Sequence, residues 1–150
     1  MKLSKDLSSN MEDYLEAILL LKKTNGIVRV RDIARSLNVQ RSSVTAALQS
    51  LTLSGYVEHE RYGYVDLTKK GTKVAREIHA RHELLVGFLN GILGIPLDDA
   101  RTDACELEHS MSAQTVKRLS EFVTFIKKYS EQNDHNIIHD FEHYRGSKKK

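Results

Sequence analysis

The stretch from Arg31 to Thr68 admits few folds. Arg31-Asp32-Ile33-Ala34-Arg35-Ser36-Leu37 spaces its apolar residues as a short helix, and Asn38-Val39 supplies a turn. Gln40-Arg41-Ser42-Ser43 then opens a second helix whose buried face would be Val44, Leu48 and Leu51, with Ser54-Gly55 as its stop. The apolar period next drops to two. Tyr56-Val57-Glu58-His59-Glu60 alternates as a strand, Arg61-Tyr62-Gly63 turns, and Tyr64-Val65-Asp66-Leu67-Thr68 returns. Two short helices about a tight turn, followed at once by a hairpin, form a winged helix-turn-helix. A helical bundle with an incidental hairpin is the competing assignment; pattern order, turn chemistry and charge together favour the winged form.

Charge indicates what such a module would face. The net charge is +3, and residues 1–72 hold 11 Lys/Arg against 8 Asp/Glu while residues 73–150 hold 12 against 12. The whole excess therefore lies in the first half, and residues 33–57 contain no acid, only Arg35 and Arg41. A surface that meets phosphates needs to lack carboxylates. The second helix would present Gln40, Arg41, Ser42, Ser43, Thr45 and Ala46 at its N-terminal end. Hydroxyls and backbone amides there bind phosphate, Gln40 and Arg41 reach base edges, and Ala46 or the Thr45 methyl meets thymine methyls. Arg29 before the first helix and Arg61 at the wing tip complete the expected double-stranded DNA contacts.

The flanking chain reads as helix. A helix over 8–23, capped by Ser8 or Ser9, carries a stripe of Met11, Tyr14, Leu15, Ile18, Leu19 and Leu21, and Thr24-Asn25-Gly26 ends it before the strand-like Ile27-Val28-Arg29-Val30. Residues 69–93 form a long helix capped by Thr68, with His79 and His82 within it. Pro96-Leu97-Asp98-Asp99 begins another, and Ser112 caps a third over Val116, Leu119, Phe122, Val123 and Ile126. A last segment, 134–145, spaces His135, His139 and His143 four apart, which is compatible with a metal site but better explained as a polar terminal helix.

The expected fold is mainly α: a winged helix-turn-helix over 1–72, a helical domain over 73–145 and a basic tail over 146–150. The apolar faces of the later helices would pair two copies, since a helix-turn-helix commonly reads two half-sites. One cysteine excludes an internal disulfide framework, and the chain shows neither a membrane span nor a signal-peptide core. A cytoplasmic protein is expected.

Cys105-Glu106-Leu107-Glu108-His109 carries the chemistry. Positions i, i+3 and i+4 share a helix face, so Cys105, Glu108 and His109 project together while Leu107 points elsewhere. Thiolate, carboxylate and imidazole are good ligands for a divalent transition metal, but one face gives only part of a coordination shell.

Met11-Glu12-Asp13-Tyr14-Leu15-Glu16, the winged helix with Ser42-Ser43-Val44-Thr45, Arg81-His82-Glu83-Leu84-Leu85 and Cys105-Glu106-Leu107-Glu108-His109-Ser110-Met111-Ser112 occur in this order. Over residues 8–130 the chain resembles the diphtheria-toxin-repressor family of metal-dependent transcriptional repressors. The resemblance implies a homodimer with an N-terminal winged helix and a helical dimerisation domain, in which metal bound between the two parts enables operator binding. It also implies the missing ligands. Asp13 would join Cys105, Glu108 and His109 in a first site, with the Glu106 backbone carbonyl contributing, and Glu16 and His82 would form a weaker second site bridged by Glu108.

Two departures from the family patterns bear on the metal. Cys105 stands where the manganese branch has a bridging Glu and the iron branch has Cys, and Asp13 stands where the iron branch has Met. The iron branch's ancillary site is not expected, because Val86 and Arg101 occupy its acid and His positions, and no SH3-like third domain is expected. Thiolate favours Fe(II), Co(II) and Zn(II) over Mn(II), so Cys105 tilts the expected ion to Fe(II), with Mn(II) next and Co(II) or Zn(II) as substitutes in vitro. Two competing functions remain at this level. One is an enzyme using Cys105 and His109 as nucleophile and base, or a hydrolytic metal centre, which lacks a Gly-rich substrate loop and leaves the winged helix unexplained. The other is a winged-helix regulator with an organic effector and a structural metal cluster.

Overall fold

A computed structural model describes residues 7–59, 63–132 and 136–147. Arg61, His135 and residues 148–150 lie outside the described residues. The described chain divides into two compact units, 7–80 and 81–147.

In the N-terminal unit, helix α1 (Ser9–Asn25) begins where Ser8 Oγ accepts from the Met11 amide at 3.4 Å and ends at Gly26, whose φ of 72° suits a residue without Cβ. Strand β1 (Val28–Arg29) leads into α2 (Val30–Ser36), and α3 (Arg41–Leu53) follows a turn at Asn38 with φ 53°. Asparagine is one of the few side chains that tolerate this left-handed conformation, so the tight turn between the two helices needs no glycine. Strands β2 (Val57–His59) and β3 (Tyr64–Leu67) pair antiparallel, with Val57 opposite Leu67, and β1 adds to β3 through Val28 opposite Val65. The sheet order is β1-β3-β2. This is the winged helix-turn-helix anticipated from the period change.

Leu15, Ile18, Val28, Ile33, Val44, Leu48, Leu51, Val57, Ala75 and Ile78 form its core, so α4 (Lys69–Gly91) contributes its first turns to the N-terminal unit. The join is tight. Thr68 Oγ1 donates to the Gly55 carbonyl at 2.8 Å and accepts from the Gly71 amide at 3.0 Å, capping α4 as expected. A Cβ on Gly71 would collide with the Tyr56 carbonyl oxygen, which explains glycine in the first turn of a helix.

The C-terminal unit holds the remainder of α4, then α5 (Leu97–Glu108), α6 (Ala113–Gln132) and α7 (Ile137–Ser147). Asp98 and Asp99 lie in the first turn of α5, where the helix dipole favours them, and Ser112 Oγ caps α6 on the Thr115 amide at 3.2 Å. Ile92, Val123 and Ile126 form a small core, with Leu84, Phe88, Leu119, Ile137 and Ile138 against it. Gly146 and Ser147, expected to open the basic tail, instead form the last turn of α7; the Arg145 guanidinium donates to the Leu93 carbonyl and fastens this end of the helix. The expected boundary at residue 72 and the division after residue 80 both fall inside α4. Among the described residues no helix is long and apolar enough to cross a membrane.

Candidate functional site

In the C-terminal unit α5 delivers the thiol, carboxylate and imidazole as the spacing requires. The Cys105 sulfur, a Glu108 carboxylate oxygen and a His109 ring nitrogen lie within 4.8 Å of one another. Cys105 is exposed and Glu108 is fully buried, while Leu107 between them faces outward. A carboxylate taken out of water must be matched by polar partners. The His82 ring, from α4, places Nδ1 3.1 Å from Glu108 Oε2, and His109 Nε2 lies 3.3 Å from Glu108 Oε1. Two imidazoles thus converge on one carboxylate, and with the thiol they make a donor set that fits a divalent transition ion. Glu106 is exposed on α5.

Arg81 secures the backbone beneath these ligands. Its guanidinium is buried, and Nη1 donates to the Glu108 carbonyl at 3.1 Å. The last carbonyls of a helix have no intrahelical partner and carry partial negative charge, so a buried cation there both satisfies one and complements the dipole. Arg81 therefore fixes the end of α5 where Glu108 and His109 leave it.

In the N-terminal unit Asp13 and Glu16 stand one turn apart on α1, both half-buried. Burial, and secondarily the Asp13 carboxylate, pushes the neighbouring Tyr14 phenol above its ordinary value of 10.0. Glu16 does not stand alone: His79 of α4 places Nδ1 3.0 Å from Glu16 Oε1. His79 and Arg81, present in the sequence only as members of the long helix and of the Arg81–Leu85 motif, acquire their roles from these contacts. A signal existed for His79, which lies three positions before His82 and so on the same side of α4; the Arg81 bond to a main-chain oxygen leaves no trace in residue types. His139 and His143 are exposed on α7 and belong to no three-ligand grouping among the described residues.

Gln40 is the N-cap residue of α3, and Arg41, Ser42, Ser43, Thr45 and Ala46 are all exposed, against a buried face of Val44, Ala47, Leu48 and Leu51. Thr45 Oγ1 donates to the Arg41 carbonyl at 2.9 Å. Arg29 lies 5.3 Å from the Tyr64 ring centroid, a cation–π contact that ties it to the root of the wing. The C-terminal unit has a different exposed surface: Leu107, Phe122 and Phe125 are exposed large apolar side chains, and Phe88, Leu107, Met111, Leu119 and Phe122 line one apolar groove. Surfaces of this kind mark protein–protein contact.

Comparison with known proteins agrees with both halves. Residues 6–70 match the iron dependent repressor N-terminal DNA binding domain, and residues 68–143 match the iron dependent repressor metal binding and dimerisation domain. The chain is similar to the HTH-type transcriptional regulator MntR of Shouchella clausii (strain KSM-K16), at 39% identity over 119 residues, which are 79% of this chain and 82% of that protein. Among solved structures, IdeR of T. acidophilum aligns with a TM-score of 0.66 at 29% identity, over 81% of this chain and 54% of that one. The manganese regulator SloR aligns with a TM-score of 0.70 at 29% identity, over 79% of this chain and 55% of that one. The chain thus spans little more than half the length of these two solved proteins. Members of the matched family are transcriptional regulators, which removes the thiol-nucleophile and hydrolytic readings of Cys105 and His109. A DNA-binding domain and a metal-binding dimerisation domain, in that order and covering nearly all of the sequence, place this chain in the diphtheria-toxin-repressor family of metal-dependent transcriptional repressors.

Proposed function

We propose that the repressor is activated by Fe(II), with Mn(II) the next most effective ion, held by Asp13, Cys105, Glu108 and His109. The carrying observation is the cluster on α5, where an exposed thiol, a buried carboxylate and an imidazole offer ligand atoms within 4.8 Å. Asp13 adds a fourth side chain from α1, and the Glu106 carbonyl adds a backbone oxygen. A weaker second site uses Glu16 and His82, with Glu108 bridging. The thiolate of Cys105 favours Fe(II) over Mn(II). Manganese as the cognate ion is the second reading, and the likeness to the manganese regulator SloR favours it.

The ligands come from both units: Asp13 and Glu16 from the DNA-binding one, Cys105, Glu108, His109 and His82 from the dimerisation one. A bound ion supplies a crosslink between them. The carboxylates of Asp13, Glu16 and Glu108 hold like charges that oppose their assembly until they are neutralised. Once assembled, the ligands favour the placement in which the α3 helices of a dimer meet successive major grooves of a palindromic operator. Metal and DNA then strengthen each other's binding by the same factor. Genes for metal uptake are the fitting targets for a repressor activated by the ion itself, and the cytoplasm is the fitting location.

The test is an anaerobic titration of apo-protein with Fe(II), Mn(II), Co(II) and Zn(II), read by binding to a palindromic duplex selected from random sequence. Fe(II) is expected to activate at lower concentration than Mn(II). Asp13→Ala and His109→Ala should each remain folded dimers and lose the stimulation. Wild-type DNA affinity for either variant in excess Fe(II) refutes the proposed site; Mn(II) acting at lower concentration than Fe(II) transfers the cognate role to manganese.

A further inference from the structure

We infer that His79 is a positioning residue for Glu16, holding that carboxylate ready for the second ion; the inference rests on the second-site reading given above. Glu16 and His79 are separated by 63 residues in sequence, yet Nδ1 of the imidazole lies 3.0 Å from Oε1 of the carboxylate. Their side chains are only 14% and 24% exposed, so the contact is partly withdrawn from water and is not an incidental surface pair. Both residues lie in the N-terminal unit, so the pair is a property of that unit's own packing of α1 against α4.

Glutamate normally gives up the freedom of several rotatable bonds when it binds an ion. A Glu16 already held by His79 has lost that freedom on folding. One N–H donated to Oε1 still leaves Oε2 and further lone pairs for a cation, because a carboxylate accepts at about four sites. The second ion has few side chains to draw on. Cys105 offers a single thiolate, and Glu16, His82 and Glu108 are the donors assigned to that ion, so the orientation of Glu16 weighs heavily. His82 makes the matching contact with Glu108 at 3.1 Å, and His79 precedes it by three positions on α4. Each of the two carboxylates is therefore met by an imidazole from one helix, but only His82 is assigned as a ligand.

An orienting partner of a metal ligand commonly accounts for about 10–100-fold in affinity. Asparagine separates positioning from ligation at His79. Its amide nitrogen occupies the place of Nδ1 and keeps the donor, whereas nothing in asparagine replaces Nε2. Co(II) is the probe, added anaerobically to the full chain and counted by equilibrium dialysis, with visible and near-ultraviolet spectra recorded in parallel. Wild type is expected to bind two Co(II) per chain and Glu16→Ala one. His79→Ala should weaken the second step about 10–100-fold, and His79→Asn should recover most of the loss. The thiolate-to-Co(II) charge-transfer band from Cys105 should be unchanged in all of them, reporting that the first site and the fold are intact. Wild-type second-step affinity in His79→Ala overturns the inference and leaves the second site standing. A loss that asparagine does not recover makes His79 a ligand and overturns the positioning role. A single Co(II) per wild-type chain, unaffected by Glu16→Ala, removes the second site and the inference with it.

Discussion

A thiol among oxygen and nitrogen donors biases a metal site before its geometry is considered. Cys105 is exposed at the mouth of a cluster whose carboxylate, Glu108, is buried and met by His82 and His109. Replacing the thiol changes the softness of the donor set without touching that buried core. Cys105→Glu is therefore expected to raise the potency of Mn(II) relative to Fe(II) in activating DNA binding by about tenfold, equivalent to about 1.4 kcal/mol. The ratio of half-activating concentrations measures it, and an unchanged ratio would mean that Cys105 does not select the ion. Legibility at this scale was uneven. Cys105, Glu108 and His109 were readable because they lie within one helical turn, where spacing alone dictates direction. The Glu16–His79 pair and the Arg81 bond to the Glu108 carbonyl were not, since both depend on how separate helices register against each other.

At the scale of elements, the join between the wing and α4 rests on a close approach of backbone to backbone. Thr68 and Gly71 sit against the carbonyls of Gly55 and Tyr56, and a methyl at Gly71 has nowhere to go without moving main chain. Gly71→Ala is expected to lower the unfolding free energy by about 1–3 kcal/mol, the usual range for overpacking, seen as a reduced urea midpoint. The exposed face of α3 makes a second prediction. Arg41 has no acid near it in sequence and is the first residue of α3. If it contacts a phosphate, Arg41→Ala lowers operator affinity and reduces the slope of log affinity against log salt by about 1. If it reads a base edge, the slope is kept and discrimination at one base pair is lost. The elements themselves were largely legible. Helix starts were marked by Ser8, Thr68 and Ser112, each of which caps as its position suggested. The end of α7 was not, because Gly146 and a lysine run read as tail, whereas Arg145 anchors the final turn to Leu93.

For the whole molecule, the important fact is that the N-terminal core does not stop at the wing. Ala75 and Ile78 of α4 are fully buried among Leu15, Ile18 and Leu48. A fragment ending at residue 72 lacks both, while one ending at residue 80 keeps them. The longer fragment is expected to unfold cooperatively. The shorter is expected to lose at least about 2 kcal/mol, since removing one large buried side chain alone costs about 2–5 kcal/mol. Thermal unfolding followed by circular dichroism compares them, and equal midpoints would show that α4 is dispensable to the winged helix.

That shared helix carries a constraint of angle. Each residue of an α-helix advances about 100° around its axis. Ile78, committed to the N-terminal core, and His82, committed to Glu108, are four positions apart and so lie on nearly one side of α4. One residue inserted between them would swing His82 a quarter-turn or more away while lengthening the helix by only about 1.5 Å. Seven residues would add nearly two turns and return it to within about 20° of its bearing. If one ion is shared by ligands of both units, as proposed above, length changes at this point of the chain are expected to be tolerated in steps close to whole turns. On that proposal α4 acts as a keyed shaft, in which phase rather than reach is what cannot be altered.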